Sequence, residues 1–392
     1  MIPIYLDNAA TSFPKPLCVT QALTQCVQKD CGNAGRGSHA LALASAERIY
    51  RCREAVADFF GGNDPQRVVF TMNTTHAINF LLKGVLRQGD HVLISELEHN
   101  AVLRPLVQLK QTRGISYDTF TTSGGAQQIC ADILAKYRPT TRALICTHQS
   151  NICSRTLPLH SIGKLCHQLG ILFFVDAAQS AGHLPIDMSA MGIDALCAPG
   201  HKGLLGIQGC GFCILSETVN PEPLIEGGSG YQSLSPHMPT EFPERGEAGT
   251  LPTPAITALE SGIRYLKEVG TAQIRQREER LFCRLRDALC EMPDYTVLLP
   301  DEVGSTLSLT HRTHSPDILG SYLAEQGICV RSGLHCAPLA HQALGDGTSQ
   351  GTVRVSFGPF NTERDVDALI GALRRADRVL PNQQPTPEPP RM

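Results

Sequence analysis

An α/β fold with a mostly parallel central sheet, followed by a smaller α+β domain, is predicted by three observations. Short apolar runs without polar alternation recur between residues 67 and 215, the pattern of strands buried on both faces. Helix-period segments separate most of these runs, and that alternation places a parallel sheet between two layers of helices. Near residue 252 the rhythm changes, and two long helical stretches precede a set of short strands.

The elements follow in order. A helix is expected over 40–60, where "SAERIYRCREAVADFF" repeats apolar residues at helical spacing and Gly61-Gly62 closes it. Strands are expected at 67–71, 91–95, 115–120, 142–147, 171–176, 195–199 and 209–215, with helices at 74–86, 99–113, 127–138 and 159–169 between them. After Pro252 and Pro254 a long helix opens in "TPAITALESGIRYLKEVG", and a charged helix runs on to about Met292. The strands "YTVLL", "STLSLT", "GICVRSG" and "TVRVSF" follow, with helices at 316–326 and 362–378. This predicts a large domain over 15–251 and a small domain made of 1–14 and 252–380. The Pro-rich stretch 381–392 is expected to be a disordered tail. No internal repeat is present.

Composition narrows the function. The chain is 42% hydrophobic and 18% charged, enough for a large core and unlike a disordered chain. A formal net charge of −3 without a long basic run argues against nucleic acid or an anionic membrane as the main partner. The N-terminal "MIPIYLDNAATSF" lacks the leader pattern of a signal peptide, and no apolar run approaches the roughly 20 residues of a membrane span. A cytoplasmic location is expected. Fifteen cysteines in so long a chain do not read as a disulfide framework. Most, such as Cys146, Cys197 and Cys213, lie in apolar runs, where reduced cysteine packs as a small hydrophobe.

Reactive groups stand at the ends of the expected strands, where open α/β sheets bind ligands. Asp176 ends the apolar run "FFVD"; a carboxylate there needs a cation or a donor, either as a ligand contact or as a helix cap or structural ion pair. Lys202, one strand further on, sits among glycines in "GHKGLLG". Alone it reads as a solvated or phosphate-binding lysine. Together, a lysine that condenses with an aldehyde and an aspartate facing a pyridinium nitrogen are what pyridoxal 5'-phosphate chemistry requires. Thr74 and Thr75 open a helix, a place suited to phosphate and equally to a simple N-cap. His99 starts the next helix, where an imidazole either stacks on a planar ring or caps the helix.

These segments carry a resemblance. "YLDNAAT", "NTTHAIN", "EHNAVL", "VDAAQSAGHLPID", "GHKGLLG", "EAGT" and "RSGLHCAPL" occur in the order found in class V aminotransferase-fold enzymes, over about residues 3 to 378. More narrowly, the chain resembles the cysteine desulfurases of the group that includes selenocysteine lyases. The resemblance implies the type I fold of pyridoxal-phosphate enzymes and a homodimer. It implies that Lys202 bonds the cofactor, that Asp176 faces its ring nitrogen and Gln179 its ring oxygen, and that His99 stacks on the ring and serves as an acid or base. Thr74, Thr75 and His201 resemble the phosphate cup, and Thr250 resembles a threonine lent to the phosphate across a dimer interface. Asn151 and Arg354 resemble the pair that holds the substrate carboxylate, a task suited to the guanidinium fork. Two positions depart from the pattern. Pro199 stands where many members carry a Ser or Thr, which removes a hydroxyl and an N–H from the cup. Asn100 stands where many carry a second His, and it cannot serve as an acid or base.

One cysteine is singled out by the loop it stands in. Cys336, in "RSGLHCAPLAH", follows Gly333 and has Arg331 and His335 close in sequence, which reads as a mobile loop with positive groups. In a desulfurase such a thiolate takes the sulfur of the substrate as a persulfide and can pass it to an acceptor protein. Metal binding is the chemical rival, because Cys336-x4-His341 and Cys210-x2-Cys213 have ligand-like spacings. Cys210 and Cys213 on one strand would face opposite ways, however, and no metal is expected. L-cysteine desulfuration is therefore the leading reading, with selenocysteine lysis a close variant. Another pyridoxal-phosphate lyase or aminotransferase is the second. A catalytically weak scaffold that binds sulfur-accepting partners is the third, and Lys202 with Asp176 argues against it.

Overall fold

The computed structural model describes residues 3–35, 37–345 and 350–380; the stretch expected to be a disordered tail, 381–392, lies outside the described residues. By contacts the chain forms two compact units. The large unit is formed by the described residues of Lys15–Gln149 with Leu157–Thr271, and the small unit by the described residues up to Pro14, Ser150–Thr156 and the described residues from Ala272 onward.

In chain order the small unit contributes β1 (Ile4–Tyr5). The large unit then runs α1 (Leu17–Gln25), α2 (Ala40–Phe59), β2 (Val68–Thr71), α3 (Thr74–Val85), β3 (His91–Ser95), α4 (Asn100–Arg113), β4 (Ser116–Phe120), α5 (Ala126–Lys136), β5 (Thr141–Thr147), α6 (Leu159–Leu169), β6 (Leu172–Asp176), α7 (Met188–Met191), β7 (Ala195–Pro199), β8 (Gly211–Leu215) and α8 (Thr253–Val269). Its seven strands form one sheet in the order β2-β8-β7-β6-β5-β3-β4. β8 is antiparallel to both of its neighbours, and the other pairings are parallel. β2 therefore points the same way as β7, so all strands except β8 end at one edge. From β3 the chain goes outward to β4 and then back to β5 on the other side. That is the switch of direction beside which open sheets bind ligands. The strands β2, β3, β6, β7 and β8 are buried almost throughout, which is why they read as unbroken apolar runs.

Helix α8 marks a difference from the sequence reading, which put 252–380 in the small domain. Ala255, Ile256, Ala258, Leu259, Ile263 and Leu266 form its buried face, and it packs on α1 and α2 of the large unit. Burying each large aliphatic side chain contributes about 1.5–3 kcal/mol, and this face is satisfied within the large unit. Conversely, Ser150–Thr156 belongs to the small unit although it lies between β5 and α6 in sequence. The Ser154 hydroxyl both donates to the Thr306 carbonyl (2.8 Å) and accepts from the Thr306 N–H (2.9 Å), and the Ser308 hydroxyl donates to the Ile152 carbonyl (2.7 Å).

The small unit continues with α9 (Thr271–Cys290), β9 (Tyr295–Val297), β10 (Thr306–His311), α10 (Pro316–Glu325), β11 (Ile328–Cys329), β12 (Arg331–Gly333), α11 (Pro338–Leu344), β13 (Thr352–Ser356) and α12 (Glu363–Val379). The antiparallel sheet β12-β13-β10-β9 is joined by a two-stranded parallel pair, β1 with β11. α12 shows why such a charged segment is a helix. Val366, Leu369, Ile370, Leu373 and Ala376 recur at helical spacing and enter the core with Leu285, Leu307 and Val355. At its start the Asp365 carboxylate accepts from the Thr362 N–H at 2.9 Å.

Candidate active site

The large unit gathers seven of the expected residues at the edge where its parallel strands end. Asp176 is the last residue of β6 and is 2% exposed. Burial pushes its carboxyl up; the Ala178 N–H, 2.9 Å from Oδ1, and the Lys202 charge pull it back only in part. A buried carboxylate so placed calls for a cationic partner. Lys202 lies in the turn after β7, which is closed by the Leu205 N–H on the Lys202 carbonyl (2.9 Å) and the Gly206 N–H on the Gly200 carbonyl (2.8 Å). Gln179 is buried three residues past Asp176.

The turns that carry Asp176 and Lys202 touch backbone to backbone. A Cβ on Gly203 would sit 2.2 Å from the Ala181 carbonyl oxygen, and one on Gly182 (φ +86°) would sit 2.2 Å from the Gly203 carbonyl oxygen. Only glycine permits that approach.

At the start of α3 the sequence left two roles open for the threonines. The cap is neither of them: the Asn73 side chain accepts from the His76 N–H at 2.9 Å. Thr74 Oγ1 is thereby left buried and without a partner among the described residues, while Thr75 is exposed. A free hydroxyl at a helix N-terminus suits a phosphate. His99 is the cap of α4, its Nδ1 accepting from the Ala101 N–H at 3.0 Å. That bond puts the proton of the neutral ring on Nε2. His201 is pushed down to about 4 by burial, then by the charges of Lys202 and Lys15, so it serves as a neutral group.

The small unit gathers three. Arg354, on β13, is 2% exposed. Its Nη2 pairs with Asp7 Oδ1 at 2.9 Å, Nη1 donates to the Asn151 carbonyl at 3.2 Å, and Nε is buried with no partner among the described residues. A guanidinium with a donor to spare suits a carboxylate. The Asn151 amide donates to the His335 carbonyl at 2.8 Å. Cys336 is exposed. Its loop differs from the mobile, positively charged one read from the sequence. The His335 ring is 6% exposed, with Nε2 3.1 Å from Thr352 Oγ1. Burial, and then the Arg354 charge, push it down to about 2. It brings no positive charge to the thiol, and its bonds pin the turn.

Thr250 stands apart. It is exposed and lines a cavity of about 580 Å³ in the large unit, together with the buried ion pair Arg53–Glu247; no other expected site residue lines it. The rival metal pairs gain nothing. Cys210 precedes β8 instead of lying on it, Cys213 Sγ is 3.7 Å from Cys197 Sγ, and the described residues hold no group of three or more potential ligands.

Three residues near this edge were not singled out from the sequence. Glu98, just before His99, is wholly buried; its Oε1 accepts from the Ser95 hydroxyl and from the Thr147 N–H. His148, after β5, donates its backbone N–H to the Asp176 carbonyl at 2.9 Å. Lys15 donates from Nζ to the His201 carbonyl at 2.9 Å. Only Lys15 left a signal, a cation between two prolines in "FPKP".

The profile of the class-V aminotransferases matches residues 4–369. The chain belongs to that family. Within it, the chain is 33% identical over 373 residues to a protein of Methanothermobacter thermautotrophicus described as a "probable cysteine desulfurase", covering 93% of this chain and 92% of that one. Among solved structures it resembles the apo cysteine desulfurase of Thermococcus onnurineus, with a TM-score of 0.88 and 29% identity over 96% of this chain and 95% of the other. The cysteine desulfurase CsdA of Escherichia coli, in an S-sulfonic acid form, also has a TM-score of 0.88 and 29% identity, over 97% and 96%. This class-V aminotransferase is therefore of the cysteine desulfurase group, and its cofactor is pyridoxal 5'-phosphate. The residues present fit that group: a buried aspartate at a strand end, a lysine one strand away, and a threonine hydroxyl at a helix start without a partner among the described residues.

Proposed function

We propose that the protein converts L-cysteine to L-alanine and keeps the sulfur as a persulfide on Cys336. The observation that carries this is an exposed thiol held on a fixed turn in the same unit as a buried arginine with an unused donor; a transaminase has no need of that thiol. Bound pyridoxal phosphate supplies an electron sink for the charge left at the substrate Cα. Lys202 would hold the cofactor at its aldehyde, and its Nζ would move the proton at the substrate Cα. Asp176 holds the proton of the ring nitrogen, and Gln179 faces the ring oxygen. His99 stacks on the ring and presents its Nε2 proton. Thr74, Thr75 and His201 hold the phosphate, with Thr250 supplied by the other copy of a homodimer. Arg354 and Asn151 hold the substrate carboxylate. The Cys336 thiolate attacks the substrate sulfur, the Cβ–S bond breaks with its electron pair going to carbon, and Cβ takes a proton.

The persulfide then serves a sulfur-accepting protein. A cytoplasmic location fits the placement of the fifteen cysteines, which form no disulfide pair among the described residues. Among the described residues no helix is long and apolar enough to cross a membrane.

Two variants test the reading. Lys202→Ala is expected to lose the absorbance of the covalently bound cofactor and all turnover; retention of both would overturn the cofactor assignment. Cys336→Ala is expected to keep that absorbance and to stop sulfide release from cysteine in the presence of dithiothreitol, the thiol that reduces the persulfide. Release at the wild-type rate would reduce Cys336 to a surface residue. Assaying alanine with cysteine and with selenocysteine sets the substrate preference.

A further inference from the structure

We propose that His335 is a positioning residue for the sulfur-accepting thiol: its neutral ring, seated on Thr352, and its carbonyl, held by Asn151, set the turn that presents Cys336. The proposal rests on the reading of Cys336 as the nucleophile, and it concerns what places that thiol.

The backbone carries the first part of the argument. His335 (φ 50°) and Cys336 (φ 57°) both lie in the left-handed region. Single non-glycine residues visit it at Ser154, Leu205, Gln232 and Leu299, but this is the one consecutive pair among the described residues. Two side-chain-bearing residues in succession stay there only when their surroundings hold them.

The holding groups are all neighbours of the cysteine. The Ala337 N–H donates to the Leu334 carbonyl at 2.9 Å and closes the turn. His335 Nε2 lies 3.2 Å from the Thr352 carbonyl oxygen and 3.1 Å from its Oγ1. The Asn151 amide fixes the His335 carbonyl, one bond from the Cys336 nitrogen. The thiol itself stays exposed. Such an arrangement fixes direction and leaves reactivity alone.

The ring holds because it is neutral. With Nε2–H given to the Thr352 carbonyl, Nδ1 is the bare nitrogen, and it is buried without a partner among the described residues. Protonation would bury a second N–H with nothing to accept it, facing Arg354 on β13, Arg331 on β12 and His341 on α11. Asn151 adds a link to the substrate. Its backbone carbonyl takes an Arg354 N–H and its side-chain amide holds the His335 carbonyl, so the residues assigned to the carboxylate and the turn of the thiol are joined through one residue.

The test uses the purified holoenzyme. His335→Ala and His335→Phe are compared with His335→Gln, whose amide can still donate to Thr352. For each, kcat and KM of sulfide release are measured with dithiothreitol as the reductant of the persulfide, and, in separate samples without added thiol, the pH dependence of Cys336 alkylation by iodoacetamide, read on the Cys336 peptide by mass spectrometry. Positioning predicts that Ala and Phe lower kcat about ten- to a hundredfold, as small misplacements do. It also predicts that alkylation keeps its wild-type rate and pH midpoint, and that Gln restores kcat. Alkylation falling in step with kcat would show that His335 activates the thiol, and would overturn the proposal. So would wild-type kcat in the Phe variant, which fills the volume without the donor. If His335→Ala fails to fold, the Phe–Gln pair decides. Sulfide release surviving in Cys336→Ala would defeat the nucleophile reading instead, an outcome separate from any result on alkylation.

Discussion

Glu98 is a carboxyl with no exposed surface, and burial pushes it up to about 8 against the pull of its Ser95 and Thr147 donors. Asp176, whose register partner on β5 is Thr147, adds to the rise. The two buried carboxyls share a small volume, and the Lys202 charge favours ionised Asp176, so Glu98 keeps the proton. The sign of the pH effect follows. Folded Glu98 holds a proton that the unfolded chain releases near 4.5. Its contribution to stability is complete below that value and is lost as pH rises toward about 8, on the order of 1 kcal/mol per pH unit. Glu98→Gln, an analogue of the protonated acid, is expected to flatten this slope. Denaturant midpoints of the apo proteins from pH 4.5 to 8 check it; parallel curves would mean that Glu98 is ionised in the fold. None of this was legible in "SELEHN", since burial of a glutamate leaves no mark on its residue type. Asp176 and Lys202 were legible because each ends or follows an apolar strand. The cap of α3 was misplaced by one residue, because Asn, Thr and Thr all suit the position and only the geometry chooses Asn73.

Strand and helix boundaries came out closest where burial imposes a clean period. β3, β7 and α6 span the residues that periodicity predicts, 91–95, 195–199 and 159–169. The elements that were missed carry little local signal. α1 starts at Pro16 without a side-chain cap and has one fully buried residue, Val19. β1 is two residues long and exists only through pairing with β11. α11 is seven residues long, too short for a helical period. At this scale the glycine contacts of the Asp176 and Lys202 turns make a prediction. Gly203→Ala would force a Cβ against the Ala181 carbonyl, with an overpacking cost of about 1–3 kcal/mol and a displaced Lys202. A lower melting temperature and weaker cofactor retention on dialysis are expected. Gly228→Ala, where nothing lies within 4 Å, serves as the control and should shift stability by less than about 0.5 kcal/mol. Equal effects of the two would show that the turns adjust freely.

For the whole molecule, the sequence reading placed the domain change where the rhythm changes, near residue 252, whereas the contacts change at Thr271. A helix that packs on other helices reads the same whether it precedes or follows the boundary, so periodicity could not assign α8. Association is a further property that no period encodes. The large unit exposes Leu17, Leu41, Leu43 and Tyr50. It also leaves Thr250 on a cavity that no other expected site residue lines. Under the proposed homodimer, Lys202 and Thr250 of one site come from different copies, and subunit mixing tests this directly. A Lys202→Ala homodimer is expected to be inactive, and a Thr250→Ala homodimer to bind cofactor weakly. Heterodimers of the two carry both lesions in one site and none in the other. Co-refolding or co-expressing the variants should therefore recover sulfide release at low cofactor concentration, from one intact site per heterodimer. If both residues served the same copy, every site in the mixture would keep its lesion, and activity would equal the average of the parents.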